Sequence, residues 1–124
     1  MSKGSHSRLL LTGSNGFLGT ALAKRLVDDA RYQLVVSMRH EAAESVSGSQ
    51  PIIVGDLGAN TDWAKAVSGV GVVIHTAARV HVMNDSAHEP LTEYRKINVE
   101  GTLSLAHQAV TANVKRLSLS VPSR

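Results

Sequence analysis

Arg8-Leu-Leu-Leu-Thr-Gly-Ser-Asn-Gly-Phe-Leu-Gly-Thr20 is the stretch that decides the fold. Leu9 to Leu11 supply an apolar strand, and Gly13, Gly16 and Gly19 stand three apart. After them Leu18, Leu22 and Leu26 recur every fourth residue, with Ala21 on the same face. This order predicts a buried strand that passes through a glycine turn into the first turn of a helix. The commonest dinucleotide fingerprint places its first two glycines two apart, so the context carries this reading more than the spacing does. Each glycine has a physical task. Gly13 lets the chain turn sharply, Gly16 removes the Cβ that would hold a phosphate off the backbone, and Gly19 lets the helix pack closely on its strand. Unpaired N–H groups and the positive dipole end of the helix then face the anion, and no lysine is required. A nucleoside-triphosphate loop needs Gly-Lys-Ser/Thr after four spacer residues, which Gly19-Thr20 does not provide. The competing reading is a tight strand-to-helix turn that holds no ligand.

Outward from this unit, strand signals recur between helix signals, the pattern of a parallel sheet with crossover helices. Gln33 to Met38 reads as a second strand and Pro51 to Val54 as a third, with an exposed Ser/Gly-rich loop over Glu44 to Gln50 between them. Thr61 is placed to cap a short helix carrying Trp63, Ala64 and Val67, and Gly69 to end it in the left-handed conformation. Val70 to Thr76 is a fourth strand, whose unbroken Val72-Val73-Ile74 describes a strand covered on both faces. Ala77 to Glu89 follows as a loop at the carboxyl end of that strand, where ligands collect in open α/β sheets. Pro90 suits the first position of a long helix, in which Tyr94, Ile97, Gly101, Leu105 and Ala109 keep helical spacing up to Asn113. Gly101 costs that helix about 1 kcal/mol relative to alanine, which points to close packing or room for a ligand. Leu117-Ser-Leu-Ser-Val121 alternates, as a strand with one wet face does, and Pro122 stops it.

At 124 residues the chain can bury one real core, so residues 1–124 are expected to form a single domain. Hydrophobic residues at 43% and charged residues at 19% place it among globular proteins. The absence of cysteine excludes disulfides, thiolate metal sites and cysteine catalysis, and fits a cytoplasmic location. No apolar run is long enough for a signal sequence or a membrane span. The net charge of +3 is spread along the chain without basic runs, and at 3% aromatic residues there is no stacking platform, so nucleic acid is not an expected partner. His6, His40, His75, His81, His88 and His107 form no i, i+4 pair, so no metal site is expected and they read as scattered surface and loop residues.

Thr12-Gly13-Ser-Asn-Gly16-Phe-Leu-Gly19, Gly55-Asp56-Leu57, His75-Thr-Ala77-Ala78 and Asn98-Val-Glu-Gly101-Thr102 together resemble the extended short-chain dehydrogenase/reductase family. Within it, the chain is similar to the NAD-dependent epimerase/dehydratase branch that acts on nucleotide sugars, over roughly residues 8 to 116. Beside the alternation of strands and helices and the right-handed crossover rule, which predict a three-layer sheet in the order 3-2-1-4-5, the resemblance implies a Rossmann-type doubly wound parallel sheet, cut after about five strands. It also implies that Gly13, Asn15, Gly16, Phe17, Leu18 and Gly19 line the pyrophosphate of NAD or NADP. Asp56 and Leu57 would contact adenine, Ala77, Ala78 and Arg79 would lie along the nicotinamide, and Asn98 would anchor the long helix near the active site. Bland readings stand beside these: Asp56 as the cap of a turn after Gly55, and the alanines as small residues kept for packing.

Two departures from the family pattern matter. NAD-using members carry an acidic residue at the end of the second strand, where this chain has Ser37-Met38-Arg39-His40. Arg39 matches the 2′-phosphate of NADP better than a bare ribose, with a solvated arginine as the alternative. The family also uses a Tyr-x-x-x-Lys pair for proton transfer, whereas Tyr32 and Tyr94, the only tyrosines, are followed four residues on by Val36 and Asn98. No catalytic residue is therefore assigned. The expected function is the cofactor-binding portion of a nucleotide-sugar epimerase or dehydratase, inactive alone, with a nucleotide sugar bound only by a full-length enzyme. A non-catalytic NAD(P)-binding or sensing module and an inert remnant of a truncated gene remain alternatives. An open edge at the last strand would favour association into homo-oligomers.

Overall fold

The computed structural model describes residues 7–13, 17–39, 47–55, 58–76 and 90–119. The elements in chain order are β1 (Ser7–Thr12), α1 (Phe17–Val27), β2 (Tyr32–Met38), β3 (Gln50–Ile53), α2 (Ala64–Val67), β4 (Val70–His75), α3 (Pro90–Thr111) and β5 (Arg116–Leu119). All strand pairs are parallel and the sheet order is β3-β2-β1-β4-β5. This is the doubly wound order expected from the alternation of strands and helices.

Side chains alternate across the strands, so each face of the sheet gathers its own core. Leu9 and Leu11 of β1 and Leu34, Val36 and Met38 of β2 meet Ala23 of α1, with Leu22, Leu26 and Val27 packed beside them. The opposite face sets Leu10, Val35 and Val73 against Trp63, Ala66 and Val67 at α2 and Leu105 of α3. Helices thus cover both faces, which makes three layers. Val72 and Ile74 turn to the α1 side and Val73 to the other, as the uninterrupted apolar run in β4 requires.

Within α1 the buried face differs from the expected stripe. Ala21 is exposed and Leu18 is 47% exposed, while Gly19 and Ala23 are buried and Leu22, Leu26 and Val27 are partly so. A strict repeat of four drifts by about 40° per step around a helix with 3.6 residues per turn. The packed stripe therefore follows 19, 22, 23, 26 and 27, and Leu18 falls at its edge.

The cap of α2 also differs. Thr61 turns away from the helix, its Oγ1 accepting the Gly58 amide at 2.8 Å, and the Asp62 carboxylate takes the Ala64 amide at 3.0 Å. Ala64 is exposed and Ala66 takes the buried position. Gly69 follows at φ 70°, as read from the sequence.

In α3, Gly101, Leu105 and Ala109 are buried and Ile97 partly buried, the stripe the spacing predicts. The helix closes on Asn113 at φ 66°, with the Val114 amide donating to the Ala109 carbonyl at 2.9 Å and the Asn113 amide to the Val110 carbonyl at 3.0 Å. That pair of bonds satisfies two otherwise orphaned carbonyls, and asparagine is the residue after glycine best suited to the left-handed position. β5 begins at Arg116, one residue before the alternating segment, and Leu117 packs partly against the α2/α3 core. Leu119 is half exposed.

Candidate functional site

From β1 the chain winds outward through α1 to β2 and β3, and then returns to place β4 on the other side of β1. The winding reverses between β1 and β4, and in open α/β sheets the crevice that takes a ligand lies outside the carboxyl ends of the strands at that point. Gly13 ends β1 at φ 74°, a left-handed conformation in which a Cβ would be strained, and α1 starts four residues later at Phe17. No acidic residue stands in the first turn of α1, so no carboxylate of that turn opposes an anion at the helix amino terminus. Gly19 is buried, consistent with its expected close approach to the sheet.

The other expected residues within the described range border the same edge. Arg39 is exposed directly after β2, Gly55 follows β3 at φ 78°, and Asn98 is partly buried within α3. Asn15, Gly16, Asp56, Leu57, Ala77, Ala78 and Arg79 lie outside the described residues, as does the side chain of Phe17.

Beneath the crevice lies a polar network that the sequence reading missed. His75, within the expected fourth strand but grouped with the histidines read as surface and loop residues, is the last residue of β4 and only 5% exposed. Its Nδ1 is 2.7 Å from Thr12 Oγ1 and its Nε2 is 3.1 Å from Thr102 Oγ1. The Thr76 amide donates to the same Thr12 hydroxyl at 2.9 Å, and the Thr76 hydroxyl donates to the Thr12 carbonyl. Trp63 meets the imidazole edge-on, with ring centroids 6.4 Å apart and planes at 89°. Burial holds the imidazole below the ordinary histidine range. The signal was present in the sequence: His75 shares the parity of Val73, so a β4 covered on both faces had to bury it.

A second open feature lies at the amino-terminal end of the strands. Arg8, Gln50, Ile52, Lys65 and Ser68 line a groove of about 610 Å³. Arg8 Nη1 donates to Gln50 Oε1 at 3.4 Å, and the buried Arg8 Nε has no partner. The groove is large and cationic, yet it sits away from the carboxyl edge where sheets of this winding bind ligands.

Similarity to known proteins converges on one family. The model of the NAD dependent epimerase/dehydratase family matches residues 9–121. The UDP-glucose 4-epimerase of Vibrio cholerae is 44% identical over 108 residues, covering 87% of this chain and 32% of that protein. Among solved structures, gox2253 aligns with a TM-score of 0.71 at 30% identity, over 92% of this chain and 34% of that one. The Bordetella bronchiseptica enzyme WbmG in complex with NAD aligns at 0.66 and 26% identity, over 94% and 38%. The chain spans about a third of the length of the curated relatives it matches. With nearly the whole described sheet inside the matched segment, the chain belongs to the NAD dependent epimerase/dehydratase family.

Proposed function

We propose that this chain is the dinucleotide-holding portion of an NAD(P)-dependent enzyme that acts on nucleotide sugars. The observation that carries the reading is Gly13, left-handed between the buried end of β1 and the amino terminus of α1, at the point where the winding of the sheet reverses. A pyrophosphate fits there because a helix amino terminus directs backbone amides and its positive dipole end at an anion, the first turn has no carboxylate, and the left-handed residue lacks a side chain. Gly13, Asn15, Gly16, Phe17, Leu18 and Gly19 would hold the pyrophosphate, Asp56 and Leu57 the adenine, and Ala77, Ala78 and Arg79 the nicotinamide side, with Asn98 steadying α3. When bound, NAD(P) supplies the site at which a hydride is taken from and returned to a sugar ring. The Vibrio cholerae relative's name supports a UDP-sugar as the substrate of the whole enzyme.

Arg39, exposed at the end of β2, favours NADP over NAD. A guanidinium–phosphate hydrogen bond contributes about 1.5–3 kcal/mol, and a bare ribose offers no such partner. Turnover by this chain alone is not expected. Tyr32 opens β2 at the amino end of the strand, with the Arg31 guanidinium 5.2 Å from its ring centroid, and so stands at the wrong edge of the sheet for proton transfer. Neither Tyr32 nor Tyr94 has a lysine four residues on.

Calorimetric titration with NAD and NADP tests the reading. Saturable binding is expected, tighter for NADP, with the preference lost in Arg39→Ala. No binding of either dinucleotide contradicts the assignment, and equal affinities contradict the role given to Arg39. Product formed from UDP- or TDP-sugars would show an acid–base residue outside the family pair.

A further inference from the structure

The crevice is bordered by three elements that differ in chain position: the end of β1, the end of β4 and the first half of α3. One side chain touches all three. His75 ends β4, reaches Thr12 at the end of β1 through Nδ1, and reaches Thr102 in α3 through Nε2. Nothing in the proposed cofactor contacts uses this residue.

We propose that His75 is a positioning residue for the dinucleotide site, acting through Thr12 and Thr102 to set β1, β4 and α3 at the spacing the cofactor requires. The proposal rests on the dinucleotide reading of the crevice. A neutral imidazole carries one donor and one acceptor, so it matches two hydroxyls that can each do either. The Thr12 hydroxyl already accepts the Thr76 amide, which ties the backbone leaving β4 to the backbone entering the glycine turn. A shift of Thr12 therefore moves Gly13, its neighbour, together with the phosphate-facing turn. On the α3 side, Thr102 follows buried Gly101 and lies one turn after Asn98, so the same bond fixes the helix face directed at the crevice. The surroundings of the imidazole are Thr12, Thr102 and the edge of Trp63, and no charged group on β1, β4, α2 or α3 among the described residues shifts its protonation.

Isosteric pairs separate positioning from mere stability. Thr102→Val and Thr12→Val keep shape and remove the hydroxyl, while Thr102→Ser and Thr12→Ser keep the hydroxyl. Dinucleotide Kd is measured at a temperature where each variant is fully folded, so that lost stability alone leaves it unchanged. The valine variants are expected to weaken binding about tenfold, the scale of one buried hydrogen bond, and the serine variants to restore it. A Kd unchanged in both valine variants, or an equal loss with serine, overturns the proposal.

Trp63, the only tryptophan, provides a readout that needs no cofactor. Its emission should be quenched as His75 takes up a proton, with a midpoint below the ordinary histidine value of about 6.5, and the step should vanish in His75→Gln. A flat profile, or a step that persists in His75→Gln, overturns the arrangement itself. Failure of the native chain to bind any dinucleotide while the fluorescence step is present overturns the dinucleotide reading and, with it, the positioning role.

Discussion

The two ends of the sheet offer an anion very different surroundings. At the amino-terminal end, Arg8 and Lys65 border a groove of about 610 Å³ and present cations on long side chains. At the carboxyl end the donors are backbone amides held by secondary structure, and Arg39 stands at the rim. Size and charge favour the first end, whereas preorganisation favours the second. Fixed amides lose little entropy when a ligand binds, while a surface arginine or lysine must give up about 2 kcal/mol of rotamer freedom. A site for a pyrophosphate is therefore better sought where the chain turns than where the positive side chains gather.

The same contrast runs through α3, which is pinned by polar side chains at two levels. Toward the carboxyl edge, Thr102 meets His75. Nearer its own end, Gln108 Oε1 accepts the Trp63 amide at 2.7 Å while its Nε2 donates to the Thr61 carbonyl at 2.9 Å and to Ser104 Oγ at 3.0 Å. The α1 face has an aliphatic core and no comparable clasp among the bonds described. The helix that presents its amides is held by smooth packing, and the helix across the crevice is held in register by hydrogen bonds.

Substitutions at the two ends should separate cleanly. Gly16→Val is expected to abolish dinucleotide binding by filling the space the phosphate needs, and undiminished affinity would move the site elsewhere. Gln108→Ala should lower stability by about 1–3 kcal/mol, because the Trp63 amide loses its partner while the Thr61 carbonyl keeps only the Ser104 hydroxyl at 3.2 Å, yet leave Kd in the folded protein unchanged. A denaturation series and a titration on the same variant check both halves. Stability should also fall with pH. His75 has a depressed folded pKa, so the unfolded chain binds more protons in the window between that value and about 6.5. The contribution is fully present above about 6.5, is lost as pH falls through the folded pKa, and is absent in His75→Gln. The smallest effect is expected from exposed Lys65→Gln, which should change stability by no more than about 0.5 kcal/mol, and the pair Arg8→Gln with Lys65→Gln should leave dinucleotide affinity as it was. A marked loss of affinity there would reverse the comparison between the ends.

Much of this arrangement was legible before the structure. Apolar runs at Leu9, Leu34 and Val72 mark strands because they are too short for helices, and the glycine turn at Gly13 lies where the first crossover begins. The strand order follows from the alternation of elements and the family resemblance together. Less legible were features set by angle and parity. The stripe on α1 depends on helical drift that a count of every fourth residue ignores, so such a count selects Leu18 and Ala21, which are exposed, over Ala23, which is buried. Thr61 does not cap α2, because its hydroxyl is engaged with Gly58 and the N-cap position falls on Trp63, which has no side-chain cap bond, while Asp62 reaches the Ala64 amide from one residue further back. Residue type alone marks His75 as a surface group, while its position on the strand carries the better information.

The most direct test of the central claim is a map of backbone amide chemical shifts in the 124-residue chain titrated with NADP. Binding at the carboxyl edge predicts the largest changes at Gly13, Leu18, Gly19 and Thr76, with Arg8, Gln50, Lys65 and Ser68 unmoved. Changes concentrated on the latter four, with the glycine turn silent, would contradict it.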